Sequence, residues 1–180
     1  EALEILEEAG CRVDFDNQRV RFPSYLVEEC IRKCPTSFTV KAREEKNTLR
    51  FEPGTLYFSL FVAMDTLDVD TGQRMTPTVQ DAVEAVKVLD ALDNYHWIDL
   101  GPYFNLEGVP PVMGIPTSTA LRMKHSSKAT CGLTGHDCDI WEIKMAQATN
   151  QQITGMPTSA PPLVWGEDIL TSTLRYLEAG

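Results

Sequence analysis

The chain opens with apolar residues at helical spacing. EALEILEEAG sets Leu3, Leu6 and Ala9 on one stripe, and Gly10 supplies the left-handed stop that ends a short helix. Alternation follows in CRVDF and RVRF, two pieces separated by a turn at Asp14 to Asn17. Pro23-Ser24 then starts a second helix, predicted to carry Leu26, Val27, Cys30 and Ile31 inward before Pro35 closes it. Cys30 and Cys34 are i, i+4 on that helix, and with no further ligand cluster beside them they read as buried or half-buried thiols rather than a metal pair.

From Thr36 to Arg74 the period shifts to two, in SFTVKAR, TLRFE, LYFSLFVAM and TLDVD, which predicts a small antiparallel sheet punctuated by Pro53-Gly54 and Thr71-Gly72. The run DTLDVDTG lacks the glycine position and the distal glutamate of a calcium loop, so Asp70-Thr71-Gly72 is read as a hairpin turn. After Thr76 the pattern is helical again. TPTVQDAVEAVKVLDALDN has Thr78 as its cap, Asp81 three residues on, and a stripe of Val79, Ala82, Val83, Val86, Leu89 and Leu92.

Strand and helix then alternate: HWIDLG, a helical stretch from Pro116 to His125, KATCG, a helix over Asp139 to Ala148, ITGMPTSAP, and a last amphipathic helix over Asp168 to Leu177. The three strands start near residues 96, 128 and 153. That beat of repeated βα units implies parallel strands with helical crossovers. Three units leave an open edge, whereas eight close, so the pattern predicts an α/β fold: the first part of a TIM (β/α)8 barrel over residues 76–180, preceded over residues 1–75 by helices and a small antiparallel sheet. A doubly wound sheet is the alternative, weakened by the lack of a glycine-rich phosphate loop after any of the three strands. A chain that begins within one helical pattern and stops after another is expected to be a piece of a longer protein.

Composition narrows the partners. Sixteen Lys and Arg against 26 Asp and Glu give a net charge of −10, which disfavours nucleic acid and anionic lipid surfaces. No apolar run approaches the ~20 residues of a membrane span. Five cysteines at irregular spacing and no leader-like start point to a reducing, cytoplasmic setting.

In βα folds of this kind, reactive side chains come from the carboxyl ends of strands and the loops that follow. Three stretches qualify: GPYFNLEGVPP with Tyr103 and Phe104, CGLTGHDC with His136, and PTSAPPLVW with Thr158, Ser159 and Trp165. Cys131, His136 and Cys138 offer three zinc-type ligands, or a cysteine and histidine for nucleophilic chemistry, at a spacing that matches no compact zinc signature. The other readings of that stretch make Cys131 strand core, His136 a polar lining residue of the mouth, and Asp137 or Asp139 a helix N-cap. LYFSLFVAM carries Tyr57, Phe58 and Phe61, which fill core or fold over the mouth. With Tyr103, Phe104 and Trp165 they then form an aromatic box, where cation–π attraction to a quaternary ammonium is worth ~0.5–2 kcal/mol per ring.

The succession ALEILEEAGCRVD, RVRFPSYLVEECIRKCPTSFTVKAR, LDVDTGQRMTPTVQDAVEAVKVLDALDNYHWID, LRMKHSSKAT and PTSAPPLVWGEDILTSTLRYLEAG resembles the trimethylamine methyltransferase family of corrinoid-dependent methyltransferases, over the N-terminal portion of its longer barrels. The resemblance implies transfer of a methyl group from a methylated amine, trimethylamine or a betaine-like quaternary amine, to the cobalt of a corrinoid (cobalamin) carried on a cognate partner protein, with no metal bound directly. It places the chain in one-carbon metabolism of the kind used in methanogenesis, with a homo-oligomer expected. Phe61, Tyr103, Phe104, His136 and Thr158 are the residues expected to bind substrate, and no catalytic residue is assigned. A non-catalytic quaternary-amine-binding homologue and a zinc-dependent enzyme using Cys131, His136 and Cys138 are the competing readings.

Overall fold

A computed structural model describes residues 2–62, 65–101, 105–133, 138–156, 170, 173–175 and 177–178, with backbone alone for 61–62, 131–133 and 153–156. Helix α1 (Ala2–Glu8) ends where expected, at Gly10 with φ of 95°. Strands β1 (Arg12–Asp14) and β2 (Arg19–Arg21) pair antiparallel around a turn in which Asp14 accepts from the backbone N–H and side-chain amide of Asn17. Helix α2 (Ser24–Lys33) follows Pro23.

The helix exists, but its inward stripe does not. No residue of α2 is buried, Ile31 is 65% exposed, and Cys30 and Cys34 are exposed free thiols. The expected burial of this face is thus corrected, and the reason is topological: among the described residues no element packs over it.

The antiparallel sheet expected over 36–74 is replaced by two separate ladders. Strands β3 (Phe38–Val40) and β4 (Leu49–Phe51) pair with each other, as do β6 (Thr66–Leu67) and β7 (Arg74–Met75). The β6–β7 turn is the predicted hairpin, with Asp68 accepting from the N–H of Asp70 and of Thr71 and from the Thr71 hydroxyl, and Gly72 at φ of 68°. The intervening β5 (Ser59–Val62) belongs to neither. It is the edge of a four-stranded parallel sheet in the order β10-β9-β8-β5, built with β8 (Trp97–Leu100), β9 (Ala129–Leu133) and β10 (Ile153–Met156). SLFV is a short apolar run, as parallel strands covered on both faces are, so alternation could not assign it to one sheet or the other.

Helices α3 (Val79–Ala91), α4 (Gly114–His125) and α5 (Asp139–Thr149) fall between successive strands of this sheet. Residues 170, 173–175 and 177–178 are helical, as the last amphipathic pattern predicts. No helix among the described residues is long and apolar enough to cross a membrane. Thr78 caps α3 through a reciprocal box, accepting from the Asp81 N–H at 3.2 Å while Asp81 accepts from the Thr78 N–H at 2.8 Å. Ala82, Val86 and Leu89 of α3 bury against Ile98 and Leu100 of β8. Leu92 breaks the expected stripe at 44% exposure, because it is the C-cap, where the extended backbone leaves the helical path.

The far end of α3 is fastened to the start of β9. The Lys128 ammonium donates to the carbonyls of Leu89 at 2.7 Å and Leu92 at 2.6 Å, satisfying two helix-end acceptors and complementing the negative end of the helix dipole. Asp90 accepts from the Ser127 N–H and from the hydroxyls of Ser126 and Ser127. Burial pushes the Asp90 carboxyl up, but those hydrogen bonds and nearby Lys128 outweigh it and hold the group below its ordinary value. Burial lowers the Lys128 ammonium.

Candidate functional site

A parallel sheet sends all its strand ends the same way, so the two edges of the sheet differ. The N-terminal edge is closed. Backbone bonds join His96 to Phe58, Gln152 to Lys41 and Glu44 to Ser127, and Arg43 donates to the Met123 carbonyl at 2.8 Å. Residues 58, 96, 127 and 152 each sit just before a strand of the sheet, so the β3–β4 unit covers this edge. An aromatic cluster fills it: Phe38 stacks on Phe51 at 4.9 Å, and Phe51 meets Tyr57 at 5.1 Å and Trp97 at 6.0 Å. The Tyr57 hydroxyl is tied to both backbone groups of Arg50. Tyr57 and Phe58 therefore belong to the closed edge, and the expectation that their segment folds over the mouth is corrected: it enters the sheet as β5 from below.

The C-terminal edge is where the strand ends Val62, Leu100, Leu133 and Met156 emerge. Alternation along β8 separates its side chains. Ile98 and Leu100 point to α3, so Trp97 and Asp99 occupy the opposite face, and Trp97 packs there beside Val40, Leu49 and Ala129. Asp99, the penultimate residue of β8, is thus a carboxylate on the face away from α3, one step from the C-terminal edge. Its exposure is 9%. Oδ1 accepts from the Trp97 indole N–H at 2.9 Å, and Arg122 Nη1 lies 3.8 Å from the same oxygen.

Arg122 comes from α4, and its side chain is 1% exposed. The β8–β9 ladder has only two residue pairs, Trp97 with Ala129 and Ile98 with Thr130, and Asp99 lies just past the second. The guanidinium also donates to the Thr119 hydroxyl at 3.2 Å, and that hydroxyl donates to Glu142 Oε1 of α5 at 2.5 Å. Thr119 and Glu142 are fully buried, as is Asp139 at the start of α5, whose carboxylate lies 3.8 Å from Arg175. Burying ions costs several kcal/mol each, and removing one partner of such a pair typically costs ~3–5 kcal/mol. The network therefore fixes the relative placement of β8, α4 and α5 more than it adds net stability.

Of the substrate residues expected from the sequence, Phe61 lies on β5, with its Cα paired to that of Asp99. Tyr103, Phe104, His136 and Thr158 fall outside the described residues, as does Trp165. Cys131 is on β9, paired through its Cα with Thr154. Cys138 is buried and is itself the N-cap of α5, which displaces Asp139 from that role to the first helical position, and its thiol donates to the Val112 carbonyl at 3.4 Å. Among the described residues no three His, Cys, Asp or Glu side chains converge as a metal set. Sequence reasoning missed Asp99, Arg122, Thr119 and Glu142. The one available signal was an aspartate inside the apolar strand WIDL.

Residues 1–103 match the family model described as trimethylamine methyltransferase (MTTB). The trimethylamine methyltransferase MttB of Desulfitobacterium hafniense (strain DSM 10664 / DCB-2) is 33% identical over 94 residues, covering 52% of this chain and 19% of that protein. MttB of Methanosarcina thermophila is 27% identical over 104 residues, covering 56% of this chain and 22% of the relative, and MttB2 of Methanosarcina mazei is 28% identical over 104 residues, at 56% and 21%. The chain spans about a fifth of the length of the curated relatives it matches. With more than half of its residues inside that family model, the chain belongs to the trimethylamine methyltransferase family.

Proposed function

We propose that this chain forms part of a methyltransferase that moves a methyl group from a methylated amine to the cobalt of a corrinoid held by a separate partner protein. The observation that carries this reading is the family match, in a chain whose parallel strands direct their ends to one edge. On this reading the four strands begin a (β/α)8 barrel, with β5 rather than HWIDL as its first strand, and the β3–β4 unit covers it from beneath.

The corrinoid is the acceptor and so a second substrate. In the transfer, the cobalt(I) electron pair forms the new bond to carbon, the N–CH3 bond breaks, and its pair stays on nitrogen as the demethylated amine leaves. The nitrogen of a quaternary ammonium, or of a tertiary amine once protonated, carries the charge that lets it leave as a neutral amine, so the task of the protein is orientation. Tyr103, Phe104, His136, Thr158 and Phe61 are the side chains this reading assigns to the amine.

The test is to mix the complete protein with reduced corrinoid and a panel of methylated amines and betaines, and to follow the absorption spectrum. Methyl-cobalt formation with at least one of them is the expected result. Binding without methyl-cobalt would instead favour a non-catalytic quaternary-amine receptor.

A further inference from the structure

We propose that the exposed face of the β1–β2 hairpin is a binding site for small polyphosphate anions, held by Arg12, Arg19 and Arg21. This hairpin shares no strand with the parallel sheet, and the site is independent of the methylamine reading. In an antiparallel ladder, cross-strand partners and residues two apart share a face. The register pairs Arg12 with Arg21 and Asp14 with Arg19, so these four exposed side chains stand on one side of the hairpin, and the half-buried Val13 and Val20 stand on the other. A cleft of about 540 Å³ is lined by all four, together with Asn17 of the turn. That is room for a ligand larger than a single phosphate.

Like charges placed directly opposite on two strands destabilise a ladder, and Arg12 and Arg21 are such a pair. The chain does not relieve that repulsion itself: among the described residues none of the three guanidiniums takes part in an ion pair. Other exposed cations are matched, Arg32, Lys33, Lys46 and Arg50 each having a carboxylate at 2.7–3.3 Å. Asp14 is committed to Asn17, accepting from its side-chain amide at 2.9 Å and its backbone N–H at 3.1 Å, and these bonds hold the carboxyl below its ordinary value. It stays ionised, so three guanidiniums and one carboxylate leave the face at a net +2. A monocarboxylate meets one guanidinium fork and leaves much of that charge unmatched, whereas a pyrophosphate-like anion presents phosphoryl oxygens to several forks at once. The chain as a whole is at −10, so long-range attraction does not gather anions, and selection falls to these short, directional bonds.

The test is titration calorimetry of the complete protein with inorganic pyrophosphate and, separately, with inorganic phosphate and with a glutamate-rich peptide. Saturable pyrophosphate binding is expected at a single site per chain, at least ~10-fold tighter than phosphate. Arg12→Ala combined with Arg21→Ala should weaken it ~10-fold or more. Arg12→Lys combined with Arg21→Lys keeps the charge and loses the planar fork, so it should weaken binding by a smaller factor, and Arg32→Ala on α2 should leave it unchanged. Equal losses in Arg32→Ala and in the double alanine variant reduce the effect to general charge and overturn the proposal, as does wild-type protein whose dissociation constant for pyrophosphate is above ~1 mM. Binding of the peptide without pyrophosphate also overturns it and assigns the face to an acidic protein segment instead. Should the double alanine variant fail to fold, the double lysine variant decides, because an affinity there equal to the wild type removes the guanidinium forks as the holding groups.

Discussion

Helices α2 and α3 have similar credentials in the sequence and opposite fates in the fold. Each carries an apolar stripe at helical spacing, and each has a defined start. Helix α3 buries Ala82, Val83, Val86 and Leu89, is boxed at its start by Thr78 and Asp81, and is fastened at its end by Lys128. Helix α2 buries nothing, begins at Pro23 without a side-chain cap, and is supported on its surface by the i, i+4 pairs Glu28–Arg32 and Glu29–Lys33. Periodicity tells which residues share a face, and only the tertiary partner decides whether that face counts. Exposed pairs of this kind, screened by solvent, contribute far less than one buried leucine.

The sharpest way to break the comparison is to truncate both helices. Leu89→Ala should destabilise the complete protein by ~2–5 kcal/mol in chemical denaturation, while Ile31→Ala, at an exposed position, should stay within ~0.5 kcal/mol. Equal losses would mean that the α2 face is covered in the complete protein. Next in size is the fastening of α3. Lys128→Met keeps the stem but strands the carbonyls of Leu89 and Leu92, for an expected loss of ~1–3 kcal/mol.

The smallest effect is an acid one. The Asp90 carboxyl titrates lower in the folded chain than in the unfolded chain, so its contribution is fully present above the unfolded value, near 3.8, and is lost as pH falls through the folded value. Asp90→Asn should therefore differ in melting temperature from the wild type at neutral pH, and the gap should close below about pH 4. A gap that persists into strong acid would assign the effect to packing instead.

What could be read from the sequence was local. The α3 cap, the Asp68–Gly72 turn and the Gly10 stop each follow from neighbours within a few residues, and each is present. The strand identity of 59–62 was not legible, because a four-residue apolar run fits a parallel edge as well as an antiparallel one. The link from Asp99 to Arg122 to Glu142 was hidden for a different reason. It joins residues 23 and 43 positions apart across β8, α4 and α5, and a charged residue in each element, taken alone, reads as solvated surface. Four of the five substrate residues assigned from the sequence lie outside the described residues, and the fifth, Phe61, is described by its backbone on β5.

A single ammonium, that of Lys128, grips the last turn of one helix from the position just before the next-but-one strand. That helix end has no independent way to fray: loosening it means drawing an amine out of two carbonyls and unseating the entry of β9 in the same motion. The two segments are consequently one cooperative opening unit, slow to exchange their amides and bound to lose protection together.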